Sequence, residues 1–207
     1  MPKVGRDVEK FQVNRMEKRK TDKRTIFTKK LIKNNLKKMV CQMNYEEITI
    51  KELTANAGIN RKTFYLHYTS LDGLFKEVSD EVVMEFENIY LQQEQDSSDH
   101  INYSNIINNF KKLIKQDQKF HQQLFCNESY LHIFTYICNQ ATDFFKNRVK
   151  DDNAHLNIDV DITISFLVSG LFTVFRDYYL MNDNQDYQDH ADKIISQLFQ
   201  IGIQNLS

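Results

Sequence analysis

A run of cationic and hydroxyl-bearing side chains, Arg61-Lys62-Thr63, lies near the end of the most informative stretch of this sequence, residues 48–68. Arginine and lysine pair with phosphate, and arginine also pairs through two hydrogen bonds with guanine. A threonine side chain suits a base edge or the methyl group of thymine. Tyr65 and His67 follow in the same stretch, and their polar tips suit the oxygens of a nucleic-acid backbone. These residue types predict contacts with DNA.

Two short helices around a glycine turn are predicted to position these side chains. Thr49 and Glu52 have the spacing of a capping box at the start of the first helix. Gly58 comes where a left-handed residue ends a helix, and Asn60 is a good N-cap for the second helix. This arrangement predicts a helix-turn-helix whose second helix enters the major groove. An ordinary helical hairpin explains the cap, the turn and the basic face less well.

Three segments carry a resemblance to a known family. They are Thr28-Lys-Lys-Leu-Ile, Ile48-Thr-Ile-Lys-Glu-Leu and Ala57-Gly-Ile-Asn-Arg-Lys-Thr-Phe-Tyr-Leu-His-Tyr. Together they resemble the N-terminal DNA-binding domain of the TetR-type transcriptional regulators, over about residues 28–78. The resemblance implies double-stranded operator DNA as a partner, a homodimer and a small effector bound among the middle helices. The predicted DNA-binding residues are Thr49, Arg61, Lys62, Thr63, Tyr65, His67 and Tyr68.

Three residues depart from the pattern of the family. Asn35 and Thr54 stand where these regulators usually place a small apolar residue and an alanine. Leu71 stands where a lysine would contact phosphate. One backbone contact is therefore not expected in this protein.

Charge and composition indicate an all-α protein with a DNA-binding N-terminal part. One proline and five glycines interrupt 207 residues, which favours long helices. Residues 1–70 carry 17 Lys and Arg against 7 Asp and Glu, whereas the remainder carries 10 against 21. We therefore predict a flexible basic arm (1–23), a helix-turn-helix domain (24–70) and a helical regulatory and dimerisation domain (71–207). The arm either follows DNA or is an unengaged tail.

Apolar periodicity predicts the helices of both domains. Thr28 is the expected N-cap of the first helix, which carries Ile32, Leu36, Met39, Val40 and Met43 on one side. A long helix over 70–94 would join the DNA-binding domain to the rest of the protein. Further helices are predicted at 105–116, 118–127, 129–150, 160–181 and 187–206.

The helix at 160–181 is apolar nearly all round, which predicts burial on more than one side. One side would face the core and another a second copy of the chain. The resemblance extends to this helix and places its partner in the last helix. The predicted dimer interface comprises Phe166, Gly170, Phe172, Thr173, Ile195, Leu198 and Phe199.

The middle helices are rich in aromatic residues, and two interpretations remain open for them. They either surround a small apolar effector or form a packed core, in which case the protein docks a protein partner instead of a metabolite. Arg176 either meets an acidic ligand, pairs with a nearby carboxylate or extends outward to solvent. The predicted pocket residues are Phe110, Ile114, His121, Phe125, Phe134, Ile137, Cys138, Phe145, Phe172 and Arg176.

Other function classes are not favoured by the sequence. The histidines and Cys41, Cys126 and Cys138 lack metal-ligand spacing, and no nucleophile motif occurs, so we expect neither a metal, a cofactor nor catalytic residues. A thiol sensor using one of the cysteines is a further alternative, although their apolar surroundings favour inert thiols. We expect no membrane partner, because no window looks apolar enough to span one, and a cytoplasmic location.

Overall fold

The computed structural model describes residues 23–96, 102–149, 157–180 and 185–204. These residues are almost entirely helical and include no strand, so the all-α prediction is confirmed. The predicted basic arm lies outside the described residues except for residue 23. The helices occur where apolar periodicity predicted them, with shifts of a few residues at their ends.

Nine α-helices follow one another along the described parts of the chain. They are α1 (23–40), α2 (Ile50–Asn56), α3 (Arg61–Tyr65), α4 (Leu71–Asp96), α5 (Tyr103–Gln116), α6 (Gln118–Cys126), α7 (Leu131–Val149), α8 (Asn157–Val174) and α9 (Gln185–Gln204). Short 3₁₀ helices lie at Tyr45–Glu47 and Glu128–Tyr130, and α8 continues as a π-helix over Phe175–Leu180.

The prediction that Thr28 caps the first helix is wrong. Residues 23–27 are already helical, and the Thr28 hydroxyl donates a hydrogen bond to the Arg24 carbonyl at 2.8 Å. A threonine inside a helix commonly satisfies its hydroxyl in this way, one turn back. The local sequence around Thr28 allows both arrangements, and the longer helix is the one observed.

The chain forms two compact units. One contains the described residues up to Met43 together with Glu47–Leu74, and the other contains Asn44–Glu46 and the chain from Phe75 onwards. In the first unit, α1, α2, α3 and the turns next to them all contribute buried side chains. This core consists of Ile32, Leu36, Met39, Val40, Ile48, Leu53, Ala57, Phe64 and Tyr68.

Two of the departures from the family pattern fit into this first unit without an unsatisfied polar group. The Asn35 side-chain amide donates to the Leu31 carbonyl at 2.9 Å. The Thr54 hydroxyl donates to the Ile50 carbonyl at 2.7 Å. Each polar group therefore forms a hydrogen bond with its own helix, which removes most of the cost of burial.

The second unit contains the larger, aromatic core. Phe86 and Phe110 stack with their ring centroids 3.9 Å apart, and Phe172 lies 5.9 Å from Phe86. Phe175 reaches the same group, 4.7 Å from Phe110. Helices α4, α5 and α8 therefore meet through a connected set of rings.

The expectation that no segment is apolar enough to span a membrane is wrong, because one helix has the required length and apolar composition. The 20 residues Ile158–Asp177, in the described part of the chain, meet that criterion. Core helices of soluble proteins meet it too, and Val160, Ile164 and Val168 of this segment are buried within the protein. The apolar composition of α8 reflects its contribution to the core on one side and an exposed stripe on the other.

Candidate DNA-binding surface and ligand cavity

Local capping fixes the turn between α2 and α3. The Thr49 hydroxyl accepts a hydrogen bond from the Glu52 backbone N–H at 3.2 Å and donates to the Glu52 carboxylate at 3.0 Å, so Thr49 caps α2 as predicted and Glu52 reaches back to the Thr49 hydroxyl. Gly58 has a φ of 62°, and the Ile59 N–H donates back to the Thr54 carbonyl at 3.0 Å. This left-handed ending closes α2 and starts the chain into α3. Thr49 is exposed at this helix start, available to a phosphate.

Helix α3 presents the predicted cationic face to solvent. The Asn60 side chain accepts from the Lys62 N–H at 2.9 Å and so caps the helix. Phe64 is fully buried and anchors the opposite side. Arg61, Lys62 and Tyr65 are exposed, and Thr63 and His67 are half-buried. The structure therefore brings these five predicted residues together on one short helix and the turn that follows it.

Tyr68 does not belong to that exposed face. Its side chain is only 5% exposed, and its ring lies 5.6 Å from the ring of Phe64. The Lys29 ammonium of α1 lies over the Tyr68 ring, 5.1 Å from its centroid. Tyr68 is thus a packing residue with a cation on its ring, and Leu66 is the neighbouring residue that faces solvent. Helical spacing alone did not decide between these two residues.

A cavity of about 40 Å³ lies in the second unit. Its lining combines side chains of α4, α5, α7, α8, α9 and the π-helix, and all of these side chains are aliphatic or aromatic. They are Phe86, Tyr90, Tyr103, Ile106, Ile107, Phe110, Ala141, Phe145, Ile164, Val168, Leu171, Phe172, Phe175 and Phe199. Of the predicted pocket residues, Phe110, Phe145 and Phe172 line this cavity.

The other predicted pocket residues occupy the neighbouring core or the surface. Phe125 and Phe134 contact the Phe172 ring, with centroids 6.2 and 5.9 Å apart. His121 is buried, with Nδ1 3.2 Å from the Ile114 carbonyl oxygen. Ile114 and Ile137 are buried core residues, and Cys138 is half-buried. Periodicity identified the apolar sides of these helices correctly but did not show which of them leave a space.

Arg176 does not line the cavity, so it is not placed to bind an anion there. Its Nε donates to the Asp177 carboxylate at 2.8 Å, and both side chains are partly exposed. The pairing interpretation of Arg176 is therefore the one observed. Nothing in the cavity lining carries a charge.

Two tyrosines supply the polar groups of the cavity, and neither was predicted from the sequence. Burial raises the pKa of Tyr103 to about 12, with a further contribution from Tyr90. Burial also raises the pKa of Tyr90, whose ring packs edge-on against Phe145 at 5.0 Å. Both phenols therefore stay neutral and act as hydrogen-bond donors or acceptors. Tyr103 precedes the predicted start of its helix at residue 105, which explains why the sequence did not identify it as a cavity residue.

The predicted dimer residues divide into an exposed and a buried set. Phe166, Gly170, Thr173 and Leu198 are exposed, and Phe166 is 70% exposed. Phe172, Ile195 and Phe199 are buried within the protomer itself. Phe199 packs with Leu167, Ile107 and Ile195 in one cluster, and Phe172 also lines the cavity. Phe172, Ile195 and Phe199 therefore belong to the core of the protomer, beneath the exposed residues of the predicted interface.

Comparisons with known proteins agree with this fold. No protein-family model matches the chain. A sequence relative is the dhaKLM operon transcriptional activator DhaS of Lactococcus lactis subsp. lactis (strain IL1403), which is 20% identical over 181 residues, covering 85% of this chain and 93% of the relative. A solved structure named as the dihydroxyacetone kinase operon activator DhaS matches with a TM-score of 0.53 and 18% identity, over 87% of this chain and 97% of the other.

Two further solved structures are similar over nearly their whole length. A transcriptional regulator of the TetR/AcrR type from Aquifex aeolicus VF5 matches with a TM-score of 0.56 and 14% identity, over 87% of this chain and 99% of the other. NalD, the secondary repressor of the MexAB-OprM multidrug efflux pump in Pseudomonas aeruginosa, matches with a TM-score of 0.54 and 12% identity, over 85% and 96%. The chain has the TetR-type fold. The resemblance drawn from residues 28–78 is confirmed at the level of the fold, and the proteins that share this fold are named as transcriptional regulators.

Proposed function

We propose that this protein is a dimeric, sequence-specific DNA-binding transcriptional regulator of the cytoplasm, without enzymatic activity, whose C-terminal unit binds a small apolar effector. The observation that carries DNA binding is the exposed face of α3. Arg61, Lys62 and Tyr65 project from a capped helix whose turn and buried Phe64 hold it in place. Helix N-terminal residues of this kind read base edges, and neighbouring cations contact phosphates.

Selection of duplexes from a random pool tests this proposal. The wild-type protein should enrich one sequence with two related half-sites, because a dimer presents two copies of α3. The double variant Arg61→Ala/Lys62→Ala should lose the enrichment. Lys119→Ala removes one exposed cation from α6 and serves as the matched control. A pool that is not enriched by the wild type, or is enriched equally by the double variant, would exclude this function for α3.

The exposed apolar stripe supports the homodimer. Ile158, Ile162 and Phe166 recur every four residues on α8 and are 71, 64 and 70% exposed. Ile194, Leu198 and Ile201 are exposed on α9. A monomer rarely leaves such a continuous apolar surface in water. An added Cβ at Gly170 would meet no atom within 4 Å, so a second copy has open space to approach there.

The cavity supports a neutral effector of limited size. Its lining lacks charge, and its two phenols stay protonated, so an acidic ligand finds no cation there. A volume of about 40 Å³ holds about three water molecules, since each needs at least 10–15 Å³ on this measure. Three waters occupy about 90 Å³ of liquid, a space comparable to one small aromatic ring. The proposed class is therefore a neutral, largely apolar molecule.

Thermal shift measurements with benzene, toluene, phenol and indole test the effector proposal. A ligand that binds only the folded state raises the melting temperature. At a ligand concentration of 100 times Kd, it raises the free energy of unfolding by about 2.7 kcal/mol. Phe86→Ala enlarges the cavity and should admit the larger members of the panel. The Lys119→Ala variant should behave as wild type. A panel without any shift would favour the alternative in which the C-terminal unit docks a protein partner.

The direction of control is a separate proposal. One relative is named as an activator and another as a repressor, so this fold supports both. We propose repression relieved by the effector, because covering a promoter needs only the DNA contacts described above. A reporter gene placed behind the selected operator tests it. Expression should rise when the gene for this protein is deleted, and a fall would identify an activator.

A further inference from the structure

The two phenols of the cavity lie close to each other in its wall. Tyr90 of α4 and Tyr103 of α5 both line the cavity. Tyr90 contributes to the raised pKa of Tyr103, so the two phenols are near enough to interact. We call the part of the cavity at Tyr90 and Tyr103 its polar end.

Aromatic rings form another part of the lining, which we call the ring end. Phe86 of α4 stacks on Phe110 of α5 there, with centroids 3.9 Å apart. Phe86 comes four residues before Tyr90, and Phe110 seven residues after Tyr103. Because an α-helix rises by 1.5 Å per residue, these steps are about 6 and 10 Å along the helices. The separation suits an occupant with a ring at one side and a polar group at the other.

The rings of both tyrosines are held by apolar contacts. The Tyr90 ring lies edge-on to Phe144 and Phe145, with centroids 6.0 and 5.0 Å away, and the side chain is 9% exposed. The Tyr103 ring lies 5.8 Å from that of Phe199 and is half-buried. These contacts fix the position of each ring without using its hydroxyl group.

Neither phenol hydroxyl forms a hydrogen bond with another residue in the described parts of the chain. A hydroxyl that is removed from water without a hydrogen bond is costly, because its interactions with water are lost and not replaced. Each hydroxyl of the polar end is therefore a hydrogen-bonding group that an occupant of the cavity can satisfy.

The charge next to the polar end is already compensated. Arg148 of α7 acts on Tyr90, where its positive charge partly offsets the effect of burial on the pKa. The Arg148 guanidinium forms an ion pair with the Glu94 carboxylate of α4, and both side chains are partly exposed. A neutral polar group therefore fits the polar end better than an anion does.

We propose that Tyr90 and Tyr103 select an effector that carries one hydroxyl or N–H group on a single aromatic ring. The polar group meets the two phenols, and the ring packs at the ring end beside Phe86 and Phe172, where edge-on contacts between rings are favourable. This inference rests on the proposed function and names the chemical class of its effector.

A phenol is the simplest member of this class. Its hydroxyl donates to one tyrosine oxygen and accepts from the other tyrosine hydroxyl, so one group satisfies both side chains of the polar end. Toluene has a methyl group in place of that hydroxyl. It would fill the same space and leave both tyrosine hydroxyls without a partner, which weakens its binding.

Calorimetric titration of the full-length protein with phenol and with toluene tests the inference. Phenol should bind the wild type at least as tightly as toluene, although toluene leaves water more readily. Tyr90→Phe and Tyr103→Phe each remove one hydroxyl and keep the ring. Each should lower the preference for phenol over toluene about two- to tenfold, the range expected for one net hydrogen bond.

The affinity for toluene separates selection from a structural role. It should not fall in either variant, whereas damage to the cavity would weaken both ligands alike. Tyr187→Phe removes an exposed phenol of α9 that does not line the cavity, and serves as the matched control. Its preference should stay within about twofold of the wild type. Circular dichroism shows that each variant is folded, and either tyrosine variant alone carries the test if the other unfolds.

Failure of the proposed effector site gives a different result from failure of this inference. A wild-type protein that binds neither phenol nor toluene removes the proposed site and the inference with it. Binding of toluene without binding of phenol keeps the site and overturns the selection by the tyrosines. An equal preference for phenol in the wild type and in both tyrosine variants overturns it as well.

Discussion

Arg61 and Lys62 are neighbours on α3, yet the two side chains are expected to act differently on DNA. Both are exposed, so neither is held by the protein in the absence of DNA. A lysine is a point charge suited to phosphate, whereas the planar guanidinium of arginine can pair with one base through two hydrogen bonds. The salt dependence and the sequence dependence of binding separate these roles.

The first prediction compares Lys62→Ala with Arg61→Ala. Lys62→Ala should weaken binding to all sequences and flatten the log–log salt dependence by about one unit, because one fewer phosphate is neutralised. Arg61→Ala should cost about 1–3 kcal/mol and relax the preference at one base pair. Fluorescence anisotropy at several salt concentrations measures both. Equal effects on all sequences for both variants would contradict a base-reading role for Arg61.

At Cys138 the surroundings argue against the thiol-sensor alternative. Burial raises the pKa of the Cys138 thiol to about 12, and burial also raises that of Cys126. The reactive form of cysteine is the thiolate, so both thiols are expected to react slowly at neutral pH. Oxidation of both thiols is therefore expected to be slow in the folded protein.

The second prediction follows from the direction of the Cys138 pKa shift. The folded state keeps a proton that the unfolded state releases near pH 9, so the free energy of unfolding falls as the pH rises from about 9 towards 12. Urea unfolding at pH 8, 9 and 10 measures this loss. Cys138→Ala should be less sensitive to pH than wild type over that range. Rapid alkylation of native Cys138 at pH 8 would contradict the burial argument.

At the scale of elements, the turn between α2 and α3 depends on one backbone conformation. Gly58 has a positive φ, and an added Cβ would meet no atom within 4 Å. The cost of a side chain there is therefore the backbone strain alone. Gly73 of α4, by contrast, lies in a helix where a Cβ would make ordinary contacts.

The third prediction uses these two glycines as a pair. Gly58→Ala should lower the free energy of unfolding by about 1–2 kcal/mol because of its left-handed conformation. Gly73→Ala should be neutral or raise it by about 0.5–1 kcal/mol, since alanine is the better helix former. Urea unfolding followed by circular dichroism measures both. A stabilising Gly58→Ala would show that the turn is not left-handed in solution.

Helix α8 has two apolar sides with different tasks, and the fourth prediction separates them. Phe166→Glu should convert the dimer to a monomer without unfolding it, because the charge goes into the proposed interface between copies. Phe172→Glu should unfold the protomer, since Phe172 is buried in its core. Met84→Glu, at an exposed position of α4 instead of α8 or α9, serves as the control and should remain dimeric. Light scattering gives the mass, and a wild-type monomer at micromolar concentration would exclude the dimer.

At the scale of the whole molecule, the proposed function requires that binding of the effector and binding of the operator influence each other. Operator half-sites lie about 34–36 Å apart, so both copies of α3 must be spaced to match. A ligand that favours another position of α4 would alter that spacing. The energetic coupling expected for such a change is about 1–3 kcal/mol.

The fifth prediction is that this coupling is reciprocal. A ligand such as toluene that lowers operator affinity by 5–150-fold, the range expected for about 1–3 kcal/mol, must itself bind more weakly to the operator complex by the same factor. Calorimetric titration of toluene into free and operator-bound protein measures it. Equal affinities for toluene in both titrations would separate the cavity from the control of DNA binding.

The amino-acid sequence by itself determined the helix-turn-helix and the all-α class. The capping pair Thr49 and Glu52, the left-handed Gly58 and the cap Asn60 act within a few residues, so their geometry follows from local chemistry. Apolar periodicity likewise predicted most helices, because the period of an α-helix does not depend on what packs against it. The cationic face of α3 was predicted in the same way, from local capping and from helical periodicity.

Only the tertiary structure decided what covers each apolar side. Tyr68 and Leu66 were equivalent by spacing, and the packing of Phe64 and Lys29 placed Tyr68 inside. Phe199 looked like an interface residue, yet α5 and α8 bury it within the protomer. The cavity depends on gaps among side chains from six elements, including Tyr90 and Tyr103. Periodicity reports that a side is apolar, whereas burial, interface or cavity depends on which distant segment reaches it, and that is a property of the folded chain.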